Sequence, residues 1–398
     1  MTSPFRVPNE EIGDRIRRVQ TELRQEQIDA LFVVQRADLF YFSGTAQNGC
    51  LYIPAEGDPV LFVRRYAPRA REESGLEWIV EIGSLRELTD RIVDFFGPGR
   101  ARIAFELDVL PVREFEYYRE LLAPAAVADG SPTILKVRSV KSPWELLQMD
   151  AAAALSAKTF AHMRTILEPG LSEMAFAGLV EAYARANGHA GMLMTRAAAE
   201  NAYPWHVVSG KSGGVGGAID SPVSGEGTSP AFPSGAGHRL LTPGEPIMVD
   251  FGTVLNGYHM DETRMFAIGS MPEKARDACG GALEILDDLV GAVRPGAVTG
   301  ELFERAVACA KRLGYQDPFL GLPGTKSRFV GHGIGVELVE PPMIAKNRSD
   351  VLLPGMTIAL EPKMCFPGDF AVGVEIVVAV TDQGCRRVSQ VSTGITIV

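Results

Sequence analysis

Cysteine is scarce in this chain, and its spacing is uninformative. The five residues, Cys50, Cys279, Cys309, Cys365 and Cys385, are odd in number and form no C-x-x-C pair. That excludes a disulfide framework and fits a reducing compartment. Cys365 falls near Glu361 but reads as a small core residue. Long apolar runs are missing too. None approaches the roughly 18 residues of a membrane span, and the opening MTSPFRVPNEEIGDR lacks the apolar core of a signal peptide. The expectation is a cytoplasmic protein with no membrane partner. Positive charge is in deficit: 39 Lys and Arg stand against 49 Asp and Glu, a net charge of −10. Nucleic acid and anionic membrane surfaces are therefore poor partners. Residues 203–238 are rich in Gly, Ser and Pro but lack the G-x-x-x-x-G-K-[ST] order of a phosphate loop. The stretch is too long for an ordinary connection and reads as a functional loop or lid. At 398 residues, with 46% hydrophobic and 22% charged, the chain has an ordinary globular composition and length for two domains.

The first part of the chain alternates helices and strands. Ile12, Ile16, Val19 and Leu23 mark a helix over 9–27, and a further helix is expected over 84–96. Ala30–Val34, Leu51–Ile53, Val60–Val63 and Ile103–Phe105 read as strands. This predicts a small α/β domain over 1–138. The next domain, 139–398, opens on Ser142-Pro143-Trp144-Glu145, a capping box with Pro at the first helical position. A long helix follows to about Leu167. Glu168-Pro169-Gly170 then joins it to a second helix that ends before Gly188, and Arg294-Pro295-Gly296 joins another pair ending before Gly314. Each pair precedes strands that carry acids. The repetition predicts a pseudo-symmetric α+β domain with its site between the halves.

Four carboxylates and one histidine stand out in the last third: Asp250, Asp261, His332, Glu361 and Glu375. Apolar strand-like runs flank each acid, where a charge is costly unless something positive neutralises it. Between Asp250 and Asp261 lies Leu255-Asn256-Gly257, and Asn-Gly is a strong hairpin signal. If Val254 pairs with Gly257, the two acids face each other. If the turn centres on Asn256-Gly257, they are diagonal neighbours. Both registers place them on one sheet face. A turn at Pro367-Gly368-Asp369 pairs Phe366 with Phe370 and puts Glu361 opposite Glu375. Like charges facing across a ladder repel, unless bound cations reverse the local field. Carboxylates with one imidazole suit manganese, cobalt, iron or zinc. Two such ions a few ångströms apart can clamp and deprotonate a shared water.

These residues, in this order, resemble the creatinase, prolidase and aminopeptidase P superfamily. The segments DFGTVLNGYHMDETR, GHGIGVE and LEPKMCFPG carry the likeness, and IDALFVVQRADLFYFSG resembles that group's creatinase-like N-terminal domain. The resemblance implies an α+β fold, with a pita-bread catalytic domain over 139–398 preceded by the creatinase-like domain over 1–138. It implies a dinuclear metal hydrolase of Xaa-Pro peptidase type, usually a homodimer, acting on small molecules or short peptides. Asp261 and Glu375 would bridge two divalent ions, with Asp250 on one ion and His332 and Glu361 on the other.

Four positions depart from that pattern. The peptidases' second histidine, soon after the GHGIG block, is Val339 here, and no histidine occurs around Ala231, where another is usual. The arginine two residues before the last metal Glu is Gly373, and the usual Glu-Pro-Gly is Glu361-Pro362-Lys363. One lost oxyanion donor alone costs about 2.7–4 kcal/mol, so replacements are expected. The candidates are His206, which otherwise reads as a packed strand residue, Glu340 as a proton carrier, and Lys363, two residues after Glu361, as a cation or acid in the cavity or else a surface lysine. His259 shares the face of Asp261 and reads as a supporting or core residue. The alternatives are a non-peptidase relative, such as a creatinase, ectoine hydrolase or dimethylsulfoniopropionate lyase, and a catalytically silent binding protein.

Overall fold

The computed structural model describes residues 5–88, 101–196, 205–217 and 221–398. The chain divides between Arg138 and Ser139 into two compact units, with Arg196 counted in the first. The first unit holds a six-stranded sheet of order β4-β3-β2-β1-β5-β6. Its strands are β1 (Ala30–Val33), β2 (Gly49–Pro54), β3 (Val60–Arg64), β4 (Trp78–Ile82), β5 (Arg102–Phe105) and β6 (Ala126–Asp129). The helix Asn9–Gln25 buries Ile12, Ile16, Val19 and Leu23, the face its periodicity marked. Of the helix expected over 84–96, residues 89–96 lie outside the described residues.

The second unit begins with helix Pro143–Ile166, and the expected capping box is formed: Ser142 accepts from the Glu145 amide while Glu145 accepts from that of Ser142. Helix Glu173–Ala186 follows, and Glu273–Ala292 with Thr299–Arg312 makes the second pair. The strands are β7 (Trp205–Ser209), β8 (Ile247–Leu255), β9 (Tyr258–Ala267), β10 (Phe329–Gly333), β11 (Glu340–Ala345), β12 (Thr357–Leu360), β13 (Lys363–Phe366), β14 (Phe370–Gly373), β15 (Ile376–Thr381), β16 (Gly384–Arg387) and β17 (Thr396–Ile397). They form a sheet of order β17-β9-β8-β7, a sheet of order β11-β10-β12-β15-β16, and the hairpin β13-β14.

The two helix pairs are anchored alike. Gly170 N donates to Leu241 O (3.0 Å) and Gly296 N to Leu352 O (2.9 Å). Glu173 N donates to Arg239 O (2.9 Å) and Thr299 N to Asp350 O (3.0 Å). Bridges pair Ser172 with Leu240 and Val298 with Val351. Each pair thus pins its turn to the chain by the same ladder, which is the internal repeat in atomic form. Phe160, Met163, Phe176 and Val180 of the first pair pack on Val207, Val249 and Phe251. Ile285, Leu289, Phe303 and Ala306 of the second pack with Val330, Ile344, Ile358 and Val378. Asp250 alternates with Val249 and Phe251 along β8, so it points away from its helix pair.

The hairpin registers place the acids. Leu255 pairs with Tyr258 and Asp250 with Thr263, so Asp250 and Asp261 are diagonal neighbours, the second of the two expected registers. Asn256 and Gly257 both have positive φ, 54° and 85°, as a type I′ turn requires. Gly257→Ala is expected to cost about 1–2 kcal/mol, the left-handed penalty of a Cβ, read as a lower midpoint in urea unfolding. In the other hairpin Phe366 pairs with Phe370 and Lys363 with Gly373. Leu360 pairs with Ile376 in the same register. Glu361 and Glu375 fall opposite each other in the gap between these ladders.

The glycine-rich region is partly strand. It opens on β7 and a 3₁₀ turn, Gly210–Gly214. Its glycines serve close packing: a Cβ on Gly214 would lie 2.5 Å from Phe366 O, and one on Gly213 2.6 Å from Ala371 N. The turn therefore seats directly on the β13-β14 hairpin. Glu173 ties the segment down from below, accepting from Ser209 N (2.7 Å), Ser209 Oγ (2.8 Å) and Gly237 N (2.9 Å). Residues 203–204 and 218–220 of this stretch, Asp220 among them, lie outside the described residues.

Candidate metal centre

The five residues singled out in the sequence meet in one cluster: Asp250, Asp261 and His332 come from β8, β9 and β10, Glu361 from the break between β12 and β13, and Glu375 from the break between β14 and β15. His332 on β10 anchors one half. Its Nδ1–H donates to Gly333 O (2.9 Å), which leaves Nε2 with its lone pair facing the acids. From Nε2 it is 3.6 Å to Glu361 Oε1, 3.9 Å to Asp261 Oδ2 and 3.9 Å to Glu375 Oε1. Asp261, His332 and Glu375 bring one ligand atom each within 4.8 Å of one another, a grouping that could hold a metal ion. A histidine fixed through one nitrogen and open at the other is the usual form of a metal ligand. Glu375 Oε1 is buried and has no hydrogen-bond partner among the described residues. A buried carboxylate oxygen in that state calls for a positive partner.

The other half of the cluster already has one. Lys363 Nζ donates to Asp250 Oδ2 (2.8 Å), Glu361 Oε2 (2.8 Å) and Glu375 Oε2 (3.0 Å). The lysine is buried, so the surface placement left open by the sequence is not the one adopted. Burial disfavours its charge, but the surrounding carboxylates outweigh this and hold its pKa well above the ordinary lysine value. Burial also raises Asp250, yet Lys363 and His206 leave it below the usual carboxylate range. Asp261 is pushed well up, by burial first and then by the charges of Glu375 and Asp250. Burial lifts Glu375 to about 8 against the pull of Lys363.

His206 on β7 pairs directly with Asp250 on β8, and its Nε2–H donates to Ser224 O (2.9 Å). Burial lowers its pKa, with Asp250 opposing. Glu340 on β11 forms a buried ion pair with Lys141 (2.5 Å). His259 is fully buried. It accepts from Met194 N (3.0 Å) and donates to Gly335 O (3.0 Å), so both ring nitrogens hold backbone.

Three residues escaped the sequence reading. Thr263 Oγ1 donates to Glu375 Oε2 (2.9 Å) and Thr263 O accepts from Glu375 N (3.2 Å). Arg264 donates to Glu375 O (2.5 Å) and Thr263 O (2.8 Å), bracing the backbone beneath the cluster. Lys141 holds Glu340. The only signal for Thr263 and Arg264 was polar residues continuing inside an otherwise apolar strand after Asp261.

A family model described as metallopeptidase family M24 matches residues 147–382, and the creatinase/prolidase N-terminal domain model matches residues 15–140. The chain belongs to metallopeptidase family M24. It is therefore a metallohydrolase of the creatinase/prolidase superfamily, in a family of divalent-metal enzymes. Its M24 relatives include a Xaa-Pro dipeptidase of Pyrococcus furiosus, 26% identical over 95% of this chain and 98% of the relative. Another is an uncharacterized peptidase of Bacillus subtilis, 26% identical over 94% and 97%. Among solved structures, a Xaa-Pro dipeptidase from Bacillus anthracis has a TM-score of 0.83 at 22% identity, over 97% of this chain and all of that one. These likenesses bear out the expected pita-bread fold and creatinase-like N-terminal domain. No helix among the described residues is long and apolar enough to cross a membrane.

Proposed function

We propose that this M24 protein hydrolyses an amide bond in a short peptide, with Xaa-Pro dipeptides as the first substrate class. Asp261, His332, Glu361 and Glu375 would hold a divalent ion. The observation that carries this reading is the convergence of Asp261, His332 and Glu375, with a Glu375 Oε1 that has no hydrogen-bond partner among the described residues. When bound, the ion would polarise the carbonyl and activate water. The protein's own groups do the rest. Gly333 O keeps His332 in the tautomer that presents Nε2, and Thr263 and Arg264 fix Glu375. We assign His206, which pairs with Asp250 across the ladder, the role of a polar group at the edge of the cluster, and Glu340 that of a proton carrier. The carboxylate-rich donor set favours manganese, cobalt or iron, with zinc also suited to the imidazole. By the superfamily likeness the protein works as a homodimer, and its free cysteines fit a reducing, cytoplasmic setting.

A second reading is favoured by two positions. Val339 is exposed where the peptidases carry a histidine, and Lys363 occupies the acid cluster. Both change the groups that meet a substrate, as in a non-peptidase relative acting on a small amide. A panel of Xaa-Pro dipeptides and small osmolyte amides, assayed on protein reconstituted with each metal, decides between them. Chelation is expected to remove activity and manganese or cobalt to restore it; turnover that survives exhaustive chelation would sink both readings. His206→Ala is expected to lower kcat at least tenfold with little change in thermal midpoint, and full activity would remove it from the site.

A further inference from the structure

We propose that the Lys363 ammonium replaces one of the two metal ions, so that the acid cluster of each chain takes a single divalent cation. This rests on the metal-dependent reading above and deepens it.

The cluster is divided in two. Lys363 Nζ meets three carboxylate oxygens, from Asp250, Glu361 and Glu375, at 2.8, 2.8 and 3.0 Å. Three acceptors satisfy the three donors of an ammonium. Glu361 and Glu375 give this half one oxygen each, Oε2, and turn Oε1 towards His332 Nε2. Asp261 Oδ2 completes the second half. The two glutamates therefore bridge an ammonium and an ion site, where the superfamily pattern would have two ions joined by bridging carboxylates. Asp250, which that pattern assigns to the first ion, accepts from Lys363 instead. A divalent ion placed among Asp250, Glu361 and Glu375 would compete with the ammonium for the same oxygens and be repelled by it. The residues present fit one ion and not two.

The ladder supports the same exchange from the opposite side. Lys363 pairs with Gly373 across the β13-β14 hairpin. A Cβ on Gly373 would lie 2.5 Å from Lys363 Cγ, so the lysine can turn inward only because position 373 is glycine. In the superfamily pattern the small residue stands at 363 and a cation, arginine, at 373. This chain has both changes, on directly paired positions. The cation has crossed the ladder and entered the site.

The test is manganese titration of the metal-stripped full-length protein, with stoichiometry from elemental analysis and the spin state from electron paramagnetic resonance. Wild type is expected to bind one ion per chain, with the six-line spectrum of an isolated Mn(II). Lys363→Gly is expected to bind two, with an exchange-coupled spectrum. Lys363→Ala serves the same purpose should the glycine variant fold poorly. Two ions in wild type would overturn the inference while leaving the metal-dependent reading intact. One ion in wild type and both variants would overturn it as well, since Lys363 would not be what excludes the second. No metal in any of them would sink both.

Discussion

Asp261→Ala is expected to abolish divalent-metal binding and hydrolysis together. It contributes one of the three ligand atoms gathered within 4.8 Å, on the half of the cluster that Lys363 does not fill, with Oδ2 3.9 Å from His332 Nε2. Loss of a mere supporting partner of a metal ligand costs about 10–100-fold in affinity, so loss of a ligand should cost more than roughly 100-fold. The metal's share of transition-state stabilisation is several kcal/mol, so kcat/KM should fall by about 10³ or more. Isothermal titration with manganese and a hydrolysis assay check the two effects on one sample. Folding separates them from trivial loss. Burial and the negative charges of Glu375 and Asp250 make the Asp261 carboxylate costly in the metal-free protein. The isosteric Asp261→Asn should therefore melt no lower than the metal-free wild type while binding no metal. A variant that stays active without metal would remove the metal from the mechanism.

The strand pattern and turn chemistry made much of this site legible. Asn256-Gly257 announced a hairpin, and period-two alternation put Asp250 and Asp261 on one face in either register. Only the three-dimensional pairing chose between registers, since both turns close on the same residues. The helix pairs declared themselves through Pro169-Gly170 and Pro295-Gly296, because a left-handed glycine after a helix is a local event written locally. Lys363 was harder. Its spacing two after Glu361 allowed a cavity placement as readily as a surface one, and its inward path runs past Gly373, a partner visible only once the ladder is known. Arg264 and Lys141 were hidden for a related reason. Their partners lie far along the chain, Glu375 for one and Glu340 for the other, and no periodicity links such positions. The glycine-rich stretch was legible only in part: its composition signalled a functional loop or lid, while the close contact of Gly213 and Gly214 with the hairpin that carries Lys363 carried no sequence signal.

Lys141→Ala is expected to destabilise the fold by about 3–5 kcal/mol, the usual cost of removing one partner from a buried ion pair. Lys141 Nζ lies 2.5 Å from Glu340 Oε1, with both side chains 1% exposed. Taking away the ammonium removes the cation that sits against the buried Glu340 carboxylate. The pair packs directly on Gly335, where a Cβ would lie 2.5 Å from Glu340 Oε1 and 2.9 Å from Lys141 Cε. Replacing both partners by apolar residues of similar volume, Lys141→Met with Glu340→Leu, should recover most of the loss, because a buried pair is held largely by the penalty of breaking it. Urea unfolding of the two single variants and the double gives the coupling directly. The same double variant separates the structural role of Glu340 from the chemical one. If Glu340 carries a proton in the reaction, the repacked protein will be stable, will bind manganese as wild type does, and will still hydrolyse its substrate at least tenfold more slowly. Wild-type turnover in that stable double variant would confine Glu340 to holding β11 in place.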